Sequence, residues 1–228
     1  MIGSQDVCSG FFVTQRFVTQ ASQSSWDRRA KLDVFLATPS AQSACGMEDF
    51  MKVVDMHCDT IAALYENKEK GWTLQDNRLH IRLDKMKQGD YLLQNFALFV
   101  CTENCEDPYQ QALTLADCFD RQMALFPEQI GQVRCYNDIL ENQKNGRISA
   151  LLTIEEGAVC QGSLEKLREF YDRGVRMLTL TWNFPNEIGF PNFAISEDGK
   201  PDRTVPNTKD GLTEFGFLFL EEMERLGM

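Results

Sequence analysis

Histidine is nearly missing from this 228-residue chain, which holds only His57 and His80, and that scarcity limits any metal site assembled from imidazoles. Basic charge is also in deficit. With 34 Asp and Glu against 23 Lys and Arg, the formal net charge of −11 argues against nucleic acid or an anionic membrane as the main partner. Small molecules or peptides remain. No stretch approaches the roughly 20 apolar residues of a transmembrane span, and residues 1–15 lack a basic segment and a sustained apolar run. A cytoplasmic location without a membrane partner is therefore expected. No CxxC pair occurs among the eight cysteines, Cys8, Cys45, Cys58, Cys101, Cys105, Cys118, Cys135 and Cys160, which are expected to be reduced thiols in the core or in loops. A thiolate ligand from Cys58, Cys101 or Cys105 is the lesser alternative.

What the chain does have is Val53-Val54-Asp55-Met56-His57-Cys58-Asp59-Thr60, an apolar strand that ends in an imidazole and a carboxylate two residues apart. Successive strand residues point to opposite faces, so His57 and Asp59 are expected to project the same way and to be able to grip one cation. An imidazole suits Zn²⁺, Fe or Mn, and the carboxylate adds charge. The same HxD pair also fits a satisfied polar turn. Ligands at the C-terminal end of a strand, followed at once by a helical pattern, match the arrangement of barrel enzymes of alternating strands and helices.

Apolar runs centred near residues 54, 98, 152 and 179 alternate with helical patterns, which argues for a parallel sheet with helical crossovers. The expected fold class is α/β. Asp107-Pro108 opens one helix with a cap residue and an N1 proline, and its apolar stripe is Ala112, Ala116, Phe119 and Met123. Ser163 caps another, with Leu164, Leu167, Phe170 and Tyr171 on one face. The last helix, over 213–226, is expected to turn Phe215, Leu218, Phe219 and Met223 inward. Residues 182–211 hold Pro185, Pro191, Pro201 and Pro206 without a clear period and are expected to form an irregular lid. Arg176, Asn186 and Glu187 are expected to be solvated. Residues 1–46, rich in Ser, Gln and Thr, read as a poorly ordered extension, and 47–228 as the folded part.

Four motifs stand in order. They are Asp55, His57 and Asp59 after the first strand, Ile154-Glu155-Glu156-Gly157 after a later one, Gly174-Val175-Arg176-Met177-Leu178-Thr179-Leu180-Thr181 before the proline-rich connection, and Gly211-Leu212-Thr213-Glu214-Phe215-Gly216. In these the chain resembles the membrane (renal) dipeptidase family of zinc peptidases, from about Lys52 to Met228. The resemblance implies a metal-dependent hydrolase type (β/α)8 barrel, represented here by about four βα units, that hydrolyses dipeptides through a metal-bound hydroxide. It further implies two zinc ions, with His57 and Asp59 on one and Glu155 bridging both at the catalytic centre. Glu156 is the rival for the bridge, because side-chain alternation aims one of the pair into the barrel mouth.

The chain departs from that pattern in two places. The family's second zinc also takes two histidines from later strands, and here His80, the one histidine besides His57, falls where the resemblance assigns no ligand. Trp182 stands where a substrate-contacting histidine is implied, so aromatic stacking by Trp182 or a polar contact from Asn183 is expected in its place. Because the chain ends where a fifth strand is expected, the reading is a truncated product, completed by a missing C-terminal half or by a homodimer. The alternatives are an inactive half-barrel serving as a folding or interaction module, and another binuclear amidohydrolase.

Overall fold

Short apolar runs become the strands of one parallel sheet: β1 (Val53–Asp55), β2 (Tyr91–Phe99), β3 (Ile130–Val133), β4 (Ile148–Glu155) and β5 (Val175–Thr179). The computed structural model describes residues 51–228, and the extension expected over 1–46 lies outside them. Strand β1 pairs with β2, and β2 runs beside β4 from Leu93–Ser149 to Phe99–Glu155. The other edge of β4 is divided. Ile148 and Leu151 pair with Ile130 and Val133 of β3, whereas Leu152 and Glu155 pair with Val175 and Thr179 of β5. The α/β class expected from the sequence is the class observed. The sheet is open, with β1 and β5 each paired on one side among the described residues.

Among the described residues six α-helices cover the sheet and its ends: α1 (Thr60–Glu66), α2 (Leu83–Gln88), α3 (Pro108–Leu125), α4 (Tyr136–Lys144), α5 (Leu164–Asp172) and α6 (Glu214–Leu226). Their starts follow local chemistry. Asp107 accepts a hydrogen bond from the Gln110 N–H ahead of Pro108, Ser163 accepts from the Lys166 N–H, and Thr213 accepts from the Gly216 N–H. Each satisfies a donor that the first helical turn leaves without a partner. Ala112, Ala116 and Phe119 of α3 are fully buried, and Phe119 lies 5.9 Å from Phe96 of β2, centroid to centroid.

Three expectations need correction. A strand precedes α4, because β3 is too short to show a period and includes Gly131, whose missing Cβ makes room for the Asn142 amide that bonds the Gly131 carbonyl at 3.0 Å. Part of the proline-rich connection is regular: β6 (Phe193–Ile195) pairs antiparallel with β7 (Pro201–Pro206). Its prolines stand at the two ends of β7, and the reversal uses Gly199 at φ +79°. In α6, Phe219 is buried but Leu218 is 54% exposed, so the helix presents a narrower apolar face than its sequence suggests.

Candidate metal centre

Three side chains from two elements converge at the C-terminal edge of the sheet. His57 Nε2 lies 3.2 Å from Asp59 Oδ1 and 3.1 Å from Glu155 Oε2, and the candidate donor atoms of the trio all fall within 4.8 Å of one another. Backbone bonds fix this meeting. The Ala97 N–H of β2 donates to the Cys58 carbonyl at 2.9 Å, and the His57 N–H donates to Asp55 Oδ1 at 3.2 Å. On the other side, Glu155 is the last residue of β4, paired with Phe99, and its carbonyl accepts from the Val100 N–H at 3.1 Å.

His57 and Asp59 reach one face by a route other than strand alternation. Strand β1 ends at Asp55, and Asp59 occupies the N-cap position of α1. Its carbonyl accepts the first helical hydrogen bond from Ala63, but its side chain caps no N–H. That leaves the carboxylate to turn toward the imidazole. Hydrogen bonding to Asp59 and then Glu155 raises the His57 pKa to about 10, against the opposing cost of burial. Two carboxylates around one imidazole form a pocket of negative field, and a divalent cation can replace the imidazole proton there. The donor set of one nitrogen and two carboxylate oxygens fits zinc.

The adjacent glutamates part company. Glu155 faces His57, whereas Glu156 is fully buried and bonds elsewhere: its Oε1 accepts from Asn186 Nδ2 at 3.1 Å and from the Ala158 N–H at 3.3 Å. Burial raises the Glu156 pKa, and those bonds, with the field of the Trp182 backbone N–H, oppose the rise. Glu156 Oε2 has no hydrogen-bond partner among the described residues.

Trp182 packs edge-on against Phe99 at 5.1 Å, and Phe99 is the β2 residue paired with Glu155. Asn183, half-buried, follows it in the chain. Cys58 lies beside the trio but outside it, and burial pushes its thiol up to about 12, away from a thiolate. His80 is exposed.

Two residues expected to be solvated are engaged. Arg176 stacks on the Tyr171 ring at 3.8 Å and donates to the carbonyls of Arg134, Tyr171 and Val175. Asn186 donates to Glu156 and to the Leu180 carbonyl, and its Oδ1 accepts from the N–H groups of Ile188 and Gly189. The signal in the sequence is Asn186 three residues before Gly189, a spacing suited to a side-chain-closed turn.

A family model described as membrane dipeptidase (peptidase family M19) matches residues 42–228, beginning ahead of Lys52 where the motifs start. The chain belongs to that family. It is 32% identical over 160 residues to an uncharacterized dipeptidase of Schizosaccharomyces pombe, covering 65% of this chain and 36% of that protein. To dipeptidase 3 of Rattus norvegicus it is 31% identical over 197 residues, covering 82% of this chain and 37% of the relative. The chain thus spans little more than a third of the length of these relatives. Among solved structures, an M19 dipeptidase superposes with TM-score 0.64 at 24% identity, over 77% of this chain and 54% of that one. A metallopeptidase from Rhodobacter sphaeroides, liganded with a phosphinate mimic of the dipeptide L-Ala-D-Ala, gives 0.62 at 20% identity, over 77% and 56%. These likenesses establish the M19 fold, of which the open parallel sheet is a part.

Proposed function

We propose that this chain carries part of a zinc-dependent dipeptidase site, in which His57 and Asp59 hold one metal and Glu155 is the carboxylate placed to bridge to a second. The observation that carries the reading is the convergence of one imidazole nitrogen and two carboxylate oxygens within 4.8 Å at the end of the sheet. Zinc bound there would supply a Lewis acid for the scissile carbonyl and lower the pKa of a water molecule. The residues do the placing. Glu155 is anchored by the β2–β4 ladder, His57 by the Asp55 carboxylate, and Trp182 packs on Phe99, the strand partner of Glu155. Dipeptide substrates are inferred from the family, and Trp182 or Asn183 is assigned their contact.

Three donors make one open site. A second metal position needs further ligands, and the exposed His80 does not supply one. We therefore expect zinc uptake to be measurable and dipeptide turnover to be very low for the 228-residue chain. Elemental analysis and calorimetric titration test this. His57→Ala and Glu155→Gln should each abolish zinc binding, while Glu156→Gln should keep it. Zinc retained in both of the first two variants would sink the reading. The second reading, a half-barrel that serves as a folding or interaction module, is favoured by Val54, 50% exposed on β1, whose outer edge has no partner among the described residues.

A further inference from the structure

The buried Glu156 carboxylate plays no part in the trio, yet it lies beside Glu155 in the chain and is joined to a segment about thirty residues away. It is wholly excluded from solvent, and one of its oxygens makes no close hydrogen bond among the described residues. A buried carboxylate is costly unless its bonds return the cost. Apart from the Ala158 N–H two residues on, those bonds run into one short stretch of chain. Asn186 links Glu156 to the Leu180 carbonyl and, through its own Oδ1, to the N–H groups of Ile188 and Gly189. The Trp182 N–H adds its field to the same carboxylate. The neighbouring Gly157 lets the backbones meet, since a Cβ there would lie 2.7 Å from the Leu180 carbonyl oxygen and 2.6 Å from Ile188 Cδ1.

We propose that Glu156 is a positioning residue, which through Asn186 clamps the 180–189 loop to the end of β4 and so fixes Trp182 beside the metal-bearing Glu155. The strand end and the loop then move as one body. A displacement of Glu155 when its carboxylate takes a cation is transmitted to Trp182 by two short routes, the Glu156–Asn186 bond and the Phe99–Trp182 ring contact. Without the clamp, the loop keeps its own turn but loses its bearing on the site. This inference rests on the metal reading for its zinc-dependent part only.

The test uses the full chain carrying Trp26→Phe and Trp72→Phe, so that Trp182 is the sole tryptophan emitter of the three. Asn186→Asp keeps the Oδ1 that accepts from Ile188 and Gly189 but turns a carboxylate toward Glu156. Adding Glu156→Gln restores a donor across the pair, since the glutamine amide can donate to Asp at 186. In Asn186→Asp, acrylamide quenching of Trp182 should rise about twofold as the loop loosens, and any emission change on adding zinc alone should vanish. In the double variant both should return toward the parent values, a coupling that a merely destabilising pair of substitutions does not show. Thermal melts of all variants separate local loosening from unfolding. Should Asn186→Asp fail to fold, Glu156→Ala removes the clamp and leaves Asn186 Oδ1 to close its own turn, and should show the same rise in quenching. Unchanged quenching in folded Glu156→Ala or Asn186→Asp overturns the proposal, as does a double variant no better than the single one. Parent protein that fails to respond to zinc, with the quenching rise and its rescue intact, counts against the metal reading and leaves the clamp standing.

Discussion

Arg168 of α5 donates through Nε to Glu222 Oε1 of α6 at 2.7 Å, joining the last helix to the body of the domain. Arg225 completes the pair from one turn further along α6, with Nε and Nη2 at 2.7 and 2.6 Å from the two Glu222 oxygens.

That cluster predicts a pH dependence of stability. Hydrogen bonds from Arg225 and then Arg168 lower the Glu222 pKa to about 2. A depressed carboxyl pKa contributes stability above its ordinary value of about 4.3, and the contribution is lost as pH falls toward 2. Glu222→Gln should melt below the parent at pH 7, and the gap should close on acidification between those limits. A gap that stays constant down to pH 2 would refute the assignment.

Adjacent residues of α6 should behave oppositely. Phe219 is fully buried, so Phe219→Ala should cost about 3–5 kcal/mol. Leu218, 54% exposed, should change stability by about 0.5 kcal/mol or less on conversion to alanine. Denaturant titration of the two variants decides between this face and one that turns Leu218 inward.

Gly216 sits in the first turn of α6, where a Cβ would collide with the Ile188 carbonyl oxygen. Gly216→Ala should therefore destabilise by about 1–3 kcal/mol, although alanine favours helices. An unchanged or raised melting temperature would show that the 180–189 loop can retreat from α6.

Metal should stabilise the fold by mass action. At a free zinc concentration of about 100 times its Kd, the increment is about 2.7 kcal/mol. Calorimetric melts with and without chelator should show that increment in the parent chain and none in His57→Ala.

The open edge of β1 predicts self-association. Val54 is 50% exposed on a strand that pairs on one side only among the described residues, and unpaired apolar edges recruit other chains. Val54→Lys should lower the apparent mass seen by light scattering. A parent chain that is already monodisperse and monomeric contradicts this.

The sequence made β2 and β4 legible because each holds an apolar run, over Phe96–Phe99 and Ala150–Leu152, and the α3 and α5 starts because Asp107 and Ser163 are side chains that cap. Strand β3 was hidden: four residues with a glycine at the second carry no period. The trio is visible in the sequence as types and order, but His57 and Asp59 meet through a turn and an uncapped helix start rather than by strand alternation. Asn186 reads as solvated because a sequence does not reveal that a buried carboxylate waits thirty residues earlier.

Strand β4, with neighbours along both edges, has a consequence for synthesis. Phe99 ends β2 and Ile148 begins β4, 49 residues later, which at about 5–20 residues per second is an interval of about 2–10 s. Through that interval the nascent β2, buried from Leu93 to Leu98 in the finished fold, has no partner on its β4 side. The ribosome-bound chain thus carries one side of β2 bare for seconds, long enough for a chaperone to engage it, and β1, β2, β3 and β5 become one sheet only when β4 has emerged.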